Sequence, residues 1–321
     1  MYSIITLIVF IFIISIFFRE GKIEQKILCI EQTQYLKGIA ILLIILCHTI
    51  GQAKETTIAT PLGGIGVAIF LFMSGYGLQE SYKKNKLSGF WRKKILRIFV
   101  PYTIFITIKC IILADFDFKK YLLDIFFIHT SYWYIGYLIK CYIVFYISSL
   151  FNEKHKLPVL ALGSMLSLFL LPEIEAEQSF SFIMGVIASI KIKEIRSLSK
   201  KGLYIIAVTS IIIGVTALAI KQFTVVRQNE FIYFLCQLLI KLPIAIGIIF
   251  LVGKLLPKNS FAILCGTYSL ELYLIHMQTL KIIQYNTIQS YIVLLLTFIV
   301  TTALFSYIFN LLCKKANIFL T

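Results

Sequence analysis

Apolar segments on the scale of a bilayer crossing recur along this sequence and leave it little freedom in how to fold. They lie at about 2–18, 35–52, 62–79, 98–114, 132–151, 157–172, 179–191, 202–220, 231–252, 260–277 and 290–312. A hydrocarbon core about 30 Å thick takes roughly 20 apolar residues as a helix, because lipid offers backbone N–H and C=O groups no partners. The expected fold is all-α: a polytopic transmembrane helix bundle of about eleven spans. Several segments are short, and 179–191 is the one expected to be tilted, re-entrant or differently bounded. Composition agrees, with 59% of residues hydrophobic, 14% charged and a mean hydropathy of +0.90. A soluble domain carries about a quarter charged residues.

The formal net charge of +16 has the size of a nucleic-acid footprint, but its placement follows the membrane instead. Segment 2–18 has its cations after it, at Arg19, Lys22 and Lys26, and no small-residue cleavage site, so an uncleaved helix with its N-terminus outside is expected. Loops then alternate strictly. The cytoplasmic set (19–37, 80–97, 152–156, 191–201, 253–259 and the tail 313–321) holds 22 of the 31 Lys and Arg. The outer set holds six: Lys54, Lys119, Lys120, Lys221, Arg227 and Lys281. Lys109, Lys140 and Lys241 fall inside spans. Such asymmetry is the mark of the positive-inside rule. The seven cysteines are scattered, with no Cys or Cys/His ligand spacing, so reduced thiols and no metal site are expected.

Against this apolar background a few polar groups stand out. Lys37 and His48 bracket one hydrophobic run with ten residues between them. Eleven helical steps end about 20° past three full turns, so both groups share a face, about 16.5 Å apart along the axis. Lipid disfavours both, so that face belongs toward protein or a water-filled cavity. A hydrogen-bonded core histidine is the plainer alternative. The segment Gly63–Gly77 is rich in small residues and includes Ser74; close helix packing accounts for its glycines. The 80–97 segment carries Lys83, Lys84, Lys86, Arg92, Lys93, Lys94 and Arg97, serving either as an anchor on anionic lipid or as a phosphate-binding platform. Trp133 and Tyr134 open a later span at the outer surface, with Lys140 on the face of Trp133. Glu271 and His276 lie in the tenth span, and a structural Glu271–Lys140 pair is one way to accommodate the acid, with Lys109 or Lys241 as other candidate cations.

Taken in order, these segments resemble the acyltransferase 3 family of integral membrane acyltransferases. That family has a basic residue, ten residues and a histidine on one transmembrane helix, as in Lys37…His48. It continues with a Gly-Val-x-x-Phe…Ser-Gly-Tyr segment, matched by Gly66-Val67, Phe70 and Ser74-Gly75-Tyr76, then a basic stretch leading to Arg97-Ile98 and Pro101-Tyr102. Trp133-Tyr134 and Tyr268-Ser269…Tyr273-Leu274…His276 complete the series, over roughly 33–312. Many members have Asp where this chain has Ala68. Residues 1–20 look like an extra N-terminal transmembrane helix before the acyltransferase domain 33–312, with 313–321 as a short cytoplasmic tail.

The resemblance implies transfer of an acyl group, usually acetyl, to a hydroxyl of a lipid-linked or cell-surface glycan in a bacterium. The donor would be acyl-coenzyme A, acetyl-CoA above all, as a substrate rather than a bound cofactor. Lys37, Arg92, Lys93, Lys94 and Arg97 would bind its phosphates. His48, with Lys37, would be catalytic, as general base on the acceptor hydroxyl or as acyl carrier. Ser74, Trp133, Tyr134 and His276 would stabilise the oxyanion or position substrate. Two other readings remain: a non-enzymatic transporter or flippase of a lipid-linked sugar or polysaccharide intermediate, and a polysaccharide-assembly subunit that kept the fold without the activity.

Overall fold

The computed structural model describes residues 19–20, 27–54, 59–113, 117–254, 258–285 and 291–320. The expected helix at 2–18 lies outside the described residues. What is described is helical apart from turns and one antiparallel pairing of two-residue strands, Arg19–Glu20 with Lys258–Asn259. Among the described residues six helices are long and apolar enough to cross a membrane: Ile30–Gly51, Thr60–Asn85, Phe90–Ile112, Lys200–Ile220, Glu230–Val252 and Thr297–Ala316. Trp133–Ser148 is a shorter apolar helix.

The helices sort into two compact units. The described residues of Met1–Ser81 and Ala161–Ser269 form the first, and those of Tyr82–Leu160 and Leu270–Thr321 the second. In the first, Lys200–Ile220 packs along Glu230–Lys254, and Ser260–Thr267 crosses Ile30–Lys54. Lys200–Ile220 leaves Ile205, Ile212, Ile213 and Val215 exposed, an apolar outer face suited to lipid.

Several boundaries differ from expectation for local reasons. The 80–97 segment is mostly helix: Thr60–Asn85 runs to its end, Lys86 and Gly89 turn the chain with positive φ, and Phe90 starts the next helix. Pro101 has no N–H for the Arg97 carbonyl, and the chain passes through a π-helical turn, Ile95–Phe99, before Val100–Ile112. Segment 260–277 is broken at Tyr268, whose backbone leaves the helical region, into Ser260–Thr267 and Ser269–Tyr285. Segment 179–191 contributes only Ser181–Ile190, ten residues and thus about 15 Å, half a crossing. The helix Tyr291–Leu320 continues through most of the expected tail.

Candidate active site

The first unit holds Lys37, His48 and Ser74. Lys37 and His48 lie on one uninterrupted helix, Ile30–Lys54, and both are half-buried, as sharing a face inside protein requires. Small residues hold this helix along its length. A Cβ on Gly38 would overlap the carbonyl oxygen of Ala262 in the crossing helix. Gly66 of Thr60–Asn85 rests against Ala40 and Ile44, and Gly63 against the Cys47 side chain. The backbone is therefore clamped next to Lys37 and next to His48. Ser74 sits half-buried on Thr60–Asn85. Its neighbour Gly75 packs on the Phe182 carbonyl, and Gly185 packs back on the Phe72 carbonyl.

A buried polar core lies against the same helices. Lys241 pairs with Glu177, both buried, and the Lys241 stem lies over Gly64. Gln178 donates from Nε2 to the Gly64 carbonyl at 2.9 Å and accepts from Ser181 Oγ at 3.1 Å. This satisfies an intramembrane lysine in the way lipid demands. In the sequence Glu177 is one of three closely spaced acids, with Glu173 and Glu175, and nothing there marks it as the partner of Lys241.

The second unit holds the remaining candidates. Arg92, Lys93 and Arg97 are exposed, and among the described residues none is in an ion pair. Lys94 is different: its ammonium lies 4.7 Å from the Tyr142 ring centre and 5.7 Å from that of Phe90. It is thus directed onto rings rather than grouped with the other three cations. Behind them Lys156 is buried, with its ammonium 3.3 Å from the Tyr82 ring centre and 4.4 Å from that of Phe145. Burial pushes this ammonium, at the foot of the Glu153–Leu170 helix and outside the six spans, down to about 8. Lys86 pairs with Glu153 across the surface at 3.5 Å.

Tyr134 and His276 are brought together through Tyr273. Tyr134 meets Tyr273 edge-on at 5.2 Å between ring centres, and Tyr273 lies 5.9 Å from His276. His276 is buried, and its Nδ1 donates to the Leu272 carbonyl at 2.9 Å, leaving Nε2 as the acceptor nitrogen. Trp133 is half-buried at the start of Trp133–Ser148, the helix that also carries Lys140. Where a Glu271–Lys140 pair was expected, the contact shown for the Glu271 carboxylate is one it accepts from Asn310 Nδ2 at 2.5 Å. An amide from the last helix satisfies the acid that a cation was expected to balance. Lys109 is taken by Asp124 at 3.6 Å, and Asp124 also accepts from the Tyr102 hydroxyl. A cavity of about 330 Å³ opens beside Lys109 and Asp124.

The groups that sequence reasoning missed are Glu177, Lys156 and the rings around Lys94. A loop lysine and interfacial aromatics carry no sequence signal that tells a cage from a surface.

A model of the acyltransferase 3 family, described as an acyltransferase domain, matches residues 30–311. No curated protein and no solved structure matches the chain. The matched stretch runs from the start of the Lys37–His48 helix almost to the end of the last helix and takes in every candidate residue above, so this multi-pass membrane chain belongs to the acyltransferase 3 family.

Proposed function

We propose that the protein transfers an acyl group, acetyl in the first instance, from cytoplasmic acyl-coenzyme A to a hydroxyl of a cell-surface or lipid-linked glycan. The observation that carries this reading is the placing of Lys37 and His48 on one unbroken, glycine-clamped helix within the family's acyltransferase domain. A near-neutral imidazole is well matched to the proton of a sugar hydroxyl. In the reaction the hydroxyl oxygen attacks the thioester carbon while His48 takes its proton. The tetrahedral oxyanion collapses, the C–S bond breaks, and the coenzyme A thiolate leaves with the proton that His48 returns. His48 as a transient acyl carrier reaches the same products. Ser74 and Tyr134 are the candidate oxyanion donors, and Trp133 and His276 the candidate acceptor-positioning groups. Arg92, Lys93 and Arg97 in the second unit carry charge complementary to the donor phosphates, and so does Lys37 in the first. The setting is a bacterial plasma membrane, with the N-terminus outside and the C-terminus cytoplasmic. Residues 33–312 form the acyltransferase core.

The test is His48→Ala in the full chain. General-base loss costs about 10²–10⁴ in rate. The variant should reach normal abundance in the membrane and bind acetyl-CoA, yet leave surface glycans unacylated by mass spectrometry. A His48→Ala protein that modifies glycan at close to the wild-type rate overturns the reading.

A further inference from the structure

The basic segment carries aromatic groups as well as cations. Trp91 and Tyr146 are both half-buried, with ring centres 5.3 Å apart and planes at 49°. Phe90 supports both from beneath, at 5.1 Å from Trp91 and 5.3 Å from Tyr146. Phe90 is itself stacked on Phe145 at 6.2 Å with an interplanar angle of 9°. The inner faces of this cluster are occupied by the ammonium groups of Lys94 and Lys156. Trp91 and Tyr146 are thus fixed from behind while parts of both rings stay accessible. Exposed Arg92, Lys93 and Arg97, unpaired among the described residues, follow Trp91 within six residues.

A rigid accessible aromatic pair beside exposed guanidinium and ammonium groups is the chemistry that recognises a purine joined to phosphates. A belt at the membrane interface explains one half-buried tryptophan, but it calls for neither a ring cluster held from behind nor two exposed arginines outside any ion pair among the described residues. Resting on the donor reading above, we propose that Trp91 and Tyr146 form the platform on which the adenine ring of acyl-coenzyme A stacks, while Arg92, Lys93 and Arg97 hold its phosphates. The platform grips the adenosine end of the donor and leaves its acyl-pantetheine arm free.

The chain has two tryptophans, Trp91 and Trp133, so Trp133→Phe leaves Trp91 as its only indole reporter. The full-length protein in nanodiscs would be titrated with acetyl-CoA and with S-acetylphosphopantetheine, which lacks the adenosine end. Saturable quenching of Trp91 by acetyl-CoA, and none by the truncated donor, is expected. In the otherwise wild-type chain, Trp91→Leu should weaken acetyl-CoA binding about tenfold, the size of one base-aromatic stack, and leave the truncated donor unaffected. Trp91→Phe, which keeps a ring, should lose much less and guards against misfolding as the cause. If acetyl-CoA binds but Trp91 fluorescence is unmoved, or if Trp91→Leu weakens both ligands alike, the platform is wrong and the donor reading stands. If the wild-type protein binds no acetyl-CoA, the donor reading falls and the platform with it.

Discussion

Lys156 illustrates what a residue owes to its surroundings. In the sequence it is one of two cations in a short loop; in the fold it is buried with its ammonium against Tyr82 and Phe145. The ring faces attract the charge, by about 2 kcal/mol when such a contact is desolvated, and burial opposes it. Burial moves the ammonium down from the ordinary lysine value to about 8. The cost of burying the charge is therefore in full force below about pH 8, where folded and unfolded chains are both protonated. It fades as pH rises toward the ordinary lysine value, because the unfolded chain then binds the extra proton. The isosteric neutral variant Lys156→Met lacks this dependence. Thermal unfolding in detergent should show the stability of the wild type gaining on that of Lys156→Met between pH 8 and 10; a constant difference would show that the ammonium is not strained by burial. The intramembrane acids and lysines teach the same lesson. That each needs a partner follows from the cost of a charge in lipid, but which partner does not: Lys241 takes Glu177, Lys109 takes Asp124, and Glu271 takes the Asn310 amide.

At the scale of the helix, glycine position decides how closely the candidate active site is held. Gly38 faces the Ala262 backbone and Gly77 of Thr60–Asn85 faces open space, though both are helical glycines. Gly38→Val should force apart the helix that carries Lys37 and His48, at about 1–3 kcal/mol or more, and lower the folded yield seen by size exclusion. Gly77→Ala should be tolerated or slightly stabilising, since it adds helix propensity without a clash. Equal effects of the two substitutions would show that close approach is not what Gly38 provides. The small-residue run Gly63–Gly77 did advertise helix packing. Its assignment of neighbours, such as Gly75 with Phe182 and Gly185 with Phe72, was not legible, because any small face can meet any other. The π-helical turn before Pro101 was half legible: the proline announces a lost hydrogen bond but not how the chain makes good the loss.

At the scale of the whole molecule, the proposed orientation rests on the 22 of 31 basic residues assigned to one side. Asn85 is exposed at the end of its helix, beside the basic segment. Asn85→Cys in intact cells should resist a membrane-impermeant thiol reagent, measured against the wild-type background, and react after permeabilisation. Ready labelling in intact cells would invert the orientation and remove cytoplasmic acyl-CoA from the basic segment's reach. The broken tenth segment and the ten-residue Ser181–Ile190 helix show the limit of counting apolar runs. Hydropathy measures the length of an apolar stretch, whereas a break at Tyr268 or a half-length helix depends on what packs beside it.

The sequence by itself determined that this chain is an all-helical membrane protein and, through the order of its motifs, that it is an acyltransferase 3 protein with Lys37 and His48 on one helix face. Those properties are local or additive: apolar length, charge count and helical phase can each be read from neighbouring residues. Tertiary structure alone decided that Lys94 and Lys156 turn onto rings, that Trp91 and Tyr146 form a supported pair, and that Glu177 pairs with Lys241. Each of these joins residues from separate elements, and such contacts are chosen by the mutual packing of surfaces that carry no address in the sequence.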